Sequence, residues 1–365
     1  MTRIAVIVPT HWSARMGGSQ YQAMCLVDSL VAAGNSLVTF VARRIGHGYS
    51  PMGYTLRQVG SRSRWARYSF LPDTMSLWNA LKQAEPQAIY QRVGCAYTGI
   101  AAAFARRYGC RMYWHVAAED DVKPFHQQTL LGTSQYLDKK VLEYGIRTAP
   151  FIVAQTEDQN RLLQANYGRW ADAIIPNFHP EPTEEISRDL PVQVVWIGNL
   201  KPVKQPMVFV QLAKDLATHL PTVRFTMVGA MSSDARWQAA FNREIASQPN
   251  LHYLGEVPQE QVNRILARSH LLVNTSISEG FSNTFVQAWL RAVPVVSLNS
   301  NPDSILTPGE LGRHSRDYQT LKADVQELAE DHTRRQAMGQ AAREYARRRH
   351  SMQNVQQLVS LLATT

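Results

Sequence analysis

The 365-residue chain has three cysteines, Cys25, Cys95 and Cys110, and their spacing fits neither a metal site nor a disulfide framework. Buried thiols in a cytoplasmic protein are the expectation. No apolar run approaches the roughly 20 residues of a membrane-spanning helix. The opening Met1-Thr2-Arg3-Ile4-Ala5-Val6-Ile7-Val8-Pro9 is too short for a signal peptide and lacks a cleavage region, so it reads as a buried first strand. There is no Gly-x-Gly-x-x-Gly, which leaves a dinucleotide cofactor unsupported. Short repeats and low-complexity tracts are also missing. Acids are absent from one long window, 29–72. That window holds Arg43, Arg44, Arg57, Arg62, Arg64 and Arg67, interleaved with Tyr49, Tyr54, Trp65, Tyr68 and Phe70. Such a mixture suits an anionic membrane surface or a phosphate-bearing lipid, or single-stranded nucleic acid, or it is a solvated face. Arg62, Arg64, Trp65 and Arg67 are the residues chosen for an acceptor or membrane surface. Nucleic acid is not expected.

What is present is an alternation of strands and helices. In the first half, strands fit Ile4–Val8, Leu37–Val41, Ala88–Gln91, Arg111–His115, Phe151–Ala154 and Ala173–Ile175. Helices fit at about Gln20–Ala33, Thr98–Arg107, Leu130–Tyr144 and Asp158–Asn166. No element is expected between Val41 and Ala88. Pro176-Asn177-Phe178-His179-Pro180-Glu181-Pro182 and the acidic stretch to Pro191 read as a linker. A second set follows, with strands at Gln193–Ile197, Arg224–Val228, Leu251–Leu254, Leu271–Asn274 and Pro294–Ser297. Its helices fit Pro206–His219, Arg236–Ala246 and Gln259–Arg268, and the tail from Tyr318 to Leu362 is helical. The expected domains are 1–177, a linker 178–191, 192–345, and a C-terminal helix 346–365 returning to the first domain. A doubly wound α/β protein follows, with its ligand site in the cleft between the halves.

Ser276-Ile277-Ser278-Glu279-Gly280-Phe281-Ser282-Asn283-Thr284 joins an apolar strand to a helix. Ser282 or Asn283 can cap that helix, and a helix N-terminus attracts phosphate. Glu279 cannot bind phosphate but can hold hydroxyls. The pair of features outlines a nucleotide-sugar. Val195-Trp196-Ile197-Gly198-Asn199-Leu200-Lys201-Pro202-Val203-Lys204 sets basic residues just before the next helix, where they can meet phosphate. Met16-Gly17-Gly18-Ser19 lies between the first strand and first helix, where backbone N–H groups can approach an anion. Gly229 ends one strand and Gly255-Glu256 follows another. Trp114-His115 ends a strand of the first half, followed by Glu119, Asp120 and Asp121, a solvated loop or acceptor-binding acids rather than a metal site.

The run from Ser276 to Trp289 resembles the glutamate-x7-glutamate signature of retaining GT-B glycosyltransferases of family four, glycosyl transferases group 1. Glu279 matches the first glutamate and Gln287 stands at the second. Residues 198–204 resemble the family's Gly-Arg-Leu-x3-Lys element, with Asn199 at the arginine and Lys204 at the phosphate lysine. The resemblance implies a GT-B fold of two Rossmann-like domains facing across a cleft. It implies transfer of a sugar, with retention and without metal or cofactor, from a nucleoside diphosphate sugar to a glycan or lipid-linked glycan, as in cell-surface polysaccharide or lipopolysaccharide synthesis. It gives Glu279, Lys204 and His115 catalytic positions. Gly17, Gly18, Gly198, Asn199, Lys201, Gly229, Glu256, Gly280, Phe281, Ser282, Asn283, Thr284 and Gln287 fall around the donor. The expected place is the cytoplasm, peripherally on the inner face of the membrane. A nucleotide-sugar epimerase, a phosphorylase and a non-catalytic nucleotide-binding or membrane-adaptor protein share the fold. Gln287 and Asn199 are the features that favour the adaptor.

Overall fold

The computed structural model describes residues 1–60, 69–124, 133–232, 234–307 and 309–363. Arg62, Arg64, Trp65 and Arg67 lie outside the described residues. The chain forms two compact units, Met1–Phe178 with Met352–Thr365, and His179–Ser351.

The first unit runs β1 (Thr2–Ile7), α1 (Gly18–Ala32), β2 (Ser36–Ala42), β3 (Thr55–Gln58), α2 (Thr74–Ala84), β4 (Ala88–Arg92), α3 (Ala96–Tyr108), β5 (Arg111–His115), α4 (Glu119–Val122), α5 (Thr133–Thr148), β6 (Phe151–Ala154), α6 (Glu157–Tyr167) and β7 (Ala173–Ile174). Its strands form a parallel sheet in the order β3-β2-β1-β4-β5-β6-β7. β1 is covered on both faces, so Ile4 to Ile7 are all apolar and buried. Ala5 and Ile7 enter a core with residues of α2, α3 and α5. Ile4 and Val6 enter another with Leu26 and Leu30 of α1.

The second unit runs β8 (Gln193–Ile197), α7 (Pro206–Leu216), β9 (Arg224–Val228), α8 (Ala235–Ala246), β10 (Leu251–Tyr253), α9 (Gln259–Arg268), β11 (Leu271–Asn274), α10 (Asn283–Leu290), β12 (Val295–Ser297), β13 (Gly312–His314), α11 (Tyr318–Glu330) and α12 (His332–Arg349). Its parallel sheet has the order β10-β9-β8-β11-β12-β13. The last helix, α13 (Gln353–Ala363), belongs to the first unit. There Val355, Leu358 and Leu362 pack in the core with Leu26 and Leu30, and Tyr113 Oη donates to the Leu361 carbonyl at 2.7 Å. The helical segment before it, α12, continues to Arg349, past the expected domain end at 345.

Four elements escaped the sequence pattern: β3, α2, α4 and β13. β3 and β13 are short edge strands, Thr-Leu-Arg-Gln and Gly-Arg-His, with little apolar content to mark them. The stretch read as a linker is not a free tether over its second part. His179 N–H donates to the His350 carbonyl at 2.9 Å, Glu184 pairs with Arg291, and Arg188 Nε donates to the Ser269 carbonyl at 2.7 Å. These contacts fasten the stretch to the second unit. Both sheets reverse strand order beside their first strand, at β1/β4 and at β8/β11. The carboxyl ends of strands at such a point are where open parallel sheets leave a crevice for ligands.

Candidate functional site

In the second unit β8 and β11 are neighbours, with Val194 beside Leu271 and Val195 beside Leu272. Two loops leave their carboxyl ends and are stitched together. Ile277 N–H donates to the Val203 carbonyl at 2.9 Å. The Thr275 hydroxyl donates to the Lys204 carbonyl at 2.7 Å and accepts from the Trp196 indole at 2.9 Å. Gln205 turns the chain with φ 47°, and α7 begins at Pro206. This stitching brings Lys204 Nζ onto Glu279 Oε1 in an ion pair. The same carboxylate oxygen accepts from the Ser276 hydroxyl at 2.7 Å and from Asn274 Nδ2 at 3.4 Å. The Glu279 side chain is 13% exposed and that of Lys204 27%. The pair is dry enough for charge to matter, and the lysine is still reached by solvent.

Gly229 closes the neighbouring wall. Its φ is 148°, and a Cβ there would lie 1.8 Å from the Gly198 carbonyl oxygen. Only glycine lets the end of β9 come this near the end of β8. Gly198 N–H donates to the Val228 carbonyl, Gly229 N–H to the Gly255 carbonyl, both at 2.9 Å, and Tyr253 Oη to the Gly229 carbonyl at 2.8 Å. Asn199 is half-buried here, whereas Lys201 and Glu256 are exposed.

Helix α10 starts four residues after Glu279, with Ser282 as its N-cap residue. The Ser282 hydroxyl contacts the Thr284 hydroxyl at 2.8 Å and caps no backbone N–H. No acid lies in the first turn, so the positive end of the helix is left uncompensated locally. Asn283 Oδ1 is held by His179 Nε2 at 3.0 Å, which ties this side chain to the fold. Burial pushes the His179 imidazole down to about 3, so the ring is neutral. Gly280 and Phe281 are buried, Phe281 against the rings of Trp289 and His350. Gln287 is buried on the same helix.

In the first unit, Gly17 is the N-cap residue of α1 and Gly18 its first residue, and no acid occupies that first turn. His115 differs from expectation. It is fully buried, and its Nδ1 faces Tyr90 Oη at 2.9 Å and Arg92 Nη1 at 3.0 Å. A guanidinium can only donate, so Nδ1 accepts and the neutral ring carries its proton on Nε2. Burial, then Arg92, holds its pKa well below the usual histidine range. Arg92 continues to Asn177 at 2.7 Å. His115 therefore sits inside a buried polar network, not at a surface that a sugar touches. The acids after it form α4, where Asp121 accepts from the Ala117 and Ala118 N–H groups at 2.9 and 3.1 Å. Among the described residues no three His, Cys, Asp or Glu side chains are grouped to hold a metal.

The basic window is also partly committed to structure. Arg43 pairs with Asp73 at 2.5 Å and lies 4.2 Å from the Phe70 ring centre. Arg57 donates to Gln83 at 2.7 Å. Tyr54 Oη bonds His11 Nε2 at 2.9 Å and Tyr49 Oη at 3.1 Å. Arg44 stays exposed.

Residues 191–331 match the family described as glycosyl transferases group 1. The matched residues all lie in the second unit. Among curated relatives, this chain is 24% identical over 179 residues to the phosphatidylinositol N-acetylglucosaminyltransferase gpi3 subunit of Schizosaccharomyces pombe, covering 47% of this chain and 39% of that protein. It is 24% identical over 251 residues to the D-inositol 3-phosphate glycosyltransferase of Corynebacterium aurimucosum, covering 62% and 59%. The chain thus spans less than two thirds of the length of these curated relatives. Two solved structures share the fold over nearly the whole chain. HepE of Anabaena, solved with UDP and glucose, has a TM-score of 0.77 at 16% identity and covers 100% of both chains. WaaG, a glycosyltransferase involved in lipopolysaccharide biosynthesis, has a TM-score of 0.79 at 15% identity, covering 99% of this chain and 100% of its own. The fold is GT-B.

Sequence reasoning selected both ends of the central ion pair but not its supports within the second unit. Asn274, Thr275 and Ser276 were read only as a strand end and loop. Their signal in the sequence is three consecutive polar residues directly after Leu271-Leu272-Val273, and the structure buries all three. His179 carried no such signal, because its partner lies 104 positions away.

Proposed function

We propose that this chain is a retaining glycosyltransferase. It moves a sugar from a nucleoside diphosphate donor to a hydroxyl of a glycan or lipid-linked glycan. The observation that carries the reading is the Lys204–Glu279 pair at the β8/β11 switch point, four residues before the open N-terminus of α10. As the bond to the leaving diphosphate breaks, negative charge grows on phosphate and positive charge on the sugar ring. Lys204 and the first N–H groups of α10 stabilise the former. Glu279 orients sugar hydroxyls and favours the latter. A diphosphate arriving at Lys204 competes with Glu279 for the ammonium, which leaves the carboxylate for the sugar. Gln287 offers an amide to the ribose diol in place of a carboxylate. The leaving diphosphate assists deprotonation of the acceptor on the same face, so no covalent intermediate and no metal is invoked.

The test is donor turnover by the full chain without acceptor. UDP-glucose is the first donor to try, since HepE was solved with UDP and glucose, followed by other nucleoside diphosphate sugars. Slow release of nucleoside diphosphate is expected. A non-catalytic adaptor binds donor and releases none. Binding to every donor with no release, even with glycan acceptors present, would overturn the catalytic reading.

Acceptor binding is assigned to the first unit, and synthesis of a cell-surface glycan is the process that this chemistry serves. Among the described residues no helix is long and apolar enough to cross a membrane. Contact with an anionic membrane face rests on the basic window that includes Arg62, Arg64, Trp65 and Arg67.

A further inference from the structure

Helix α12 lies on the turn between α10 and β12. Gly339 makes the approach possible, since a Cβ there would sit 2.2 Å from the Ala292 carbonyl oxygen. Residues four apart share a helix face. Arg335 and Arg343 therefore lie one turn to either side of Gly339, on the side that meets this turn. Arg188 reaches the same place from the stretch before β8. Its Nε donates to the Ser269 carbonyl at 2.7 Å, and its Nη2 donates to the carbonyl of Arg291, next to Ala292. Three guanidiniums thus gather near the amino ends of β11 and β12.

None of the three has a carboxylate within ion-pair distance among the described residues. Arg335 is 5% exposed, and its Nη1 donates to the Leu328 and Ala329 carbonyls at 2.6 and 3.0 Å. Arg343 Nε is buried with no acceptor among the described residues. Burial, then the charges of Arg335 and Arg343, pulls Arg188 down to about 10. His270 shares the neighbourhood, and burial followed by Arg335, Arg188 and His332 holds it at about 4. Asp189 and Asp331 are the nearby acids. Asp331 is already engaged as the cap of α12, accepting from Arg334 N–H at 2.9 Å.

We propose that Arg188, Arg335 and Arg343 form a binding site for a phosphate-bearing anion, separate from the site at Lys204. Desolvated like charges without an ion-paired carboxylate are costly, and a phosphate accepting from several guanidinium N–H groups offsets that cost. The strands between the two sites have four or five residues. At ~3.3 Å per residue the sites are roughly 15 Å apart. The inference does not depend on the proposed reaction.

The test uses the full chain and inorganic phosphate, at constant ionic strength set with chloride. Thermal unfolding should show a saturable rise in midpoint of about 2–4 °C, and calorimetry one phosphate site that survives K204A. R343Q and R188Q should each weaken it at least tenfold. R343Q removes a group whose Nε holds nothing, and R188Q gives an independent reading if that variant misfolds. A phosphate response that is absent, or that is lost in K204A and kept in both arginine variants, overturns the proposal. Vesicles containing phosphatidic acid identify the source. Pelleting that falls in R343Q assigns the phosphate to a lipid headgroup, and pelleting unchanged by R343Q, with phosphate binding lost, assigns it to a soluble anion.

Discussion

Lys204 and Glu279 are 75 residues apart in sequence and form one ion pair at the carboxyl ends of adjacent strands β8 and β11. Each is the other's main counter-charge. Ser276 and Asn274 donate to the same carboxylate oxygen. Any ligand that takes the lysine therefore changes the environment of the glutamate. The two side chains act as a coupled unit, which the sequence motifs treated as two separate groups.

Glu279→Gln keeps size and hydrogen bonding and removes charge. Donor turnover should fall about 100-fold, with nucleotide affinity little changed, if the carboxylate acts on the transition state. Steady-state kinetics on the folded variant decide this. Equal turnover in both proteins removes Glu279 from the chemistry.

Lys204→Ala should weaken nucleoside diphosphate binding about 10- to 100-fold, the range of one charge-assisted contact. It should also leave Glu279 without its cation. A double-mutant cycle with E279Q should then give non-additive losses, because the residues share one interaction. Additive losses in calorimetric affinity and in unfolding would mean that the pair is not coupled in solution.

The legible part of this fold is the part buried on both sides. Strands such as Arg224–Val228 and Leu271–Asn274 were placed from apolar runs, since a central parallel strand leaves no face for polar residues. β3, at a sheet edge, shows exposed or half-buried residues throughout and gave no signal. In the site, Lys204 and Glu279 stand in recognisable local motifs. Their contact depends on strand order, which periodicity does not encode. The burial of His115 was hidden for a related reason. Its place at a strand end is visible in sequence, but the Tyr90 and Arg92 side chains that enclose it come from another strand.

Gly229→Ala should be destabilising by more than about 2 kcal/mol, because the added methyl meets backbone rather than a yielding side chain. Chemical denaturation measures the loss. Unfolding of the second unit at an unchanged denaturant midpoint would mean that β8 and β9 do not approach as closely as described.

The acid-free window predicts contact with anionic vesicles, each arginine near the surface contributing about 1 kcal/mol within a Debye length. Pelleting should fall steeply with salt. Replacing Arg62, Arg64 and Arg67 with Glu should abolish it while donor affinity is retained. Equal pelleting of wild type and triple variant at low salt rules against a membrane role for these residues.

His179 sets an expected pH dependence. Its ring is buried and neutral, hydrogen-bonded to Asn283, with a folded-state pKa of about 3 against 6.5 when unfolded. Between those values the unfolded chain binds the extra proton. Stability from this group is therefore complete above pH 6.5 and declines as pH falls toward 3. The full effect is on the order of 5 kcal/mol. His179→Gln keeps a donor for Asn283 and cannot titrate. The variant should be less stable than wild type at pH 7.5, and the gap should close on acidification to pH 4.5. Urea unfolding at both pH values provides the comparison, and the carboxylates common to both proteins cancel in the difference. A gap that stays constant would mean that His179 titrates alike in folded and unfolded chains, contrary to its burial against α10.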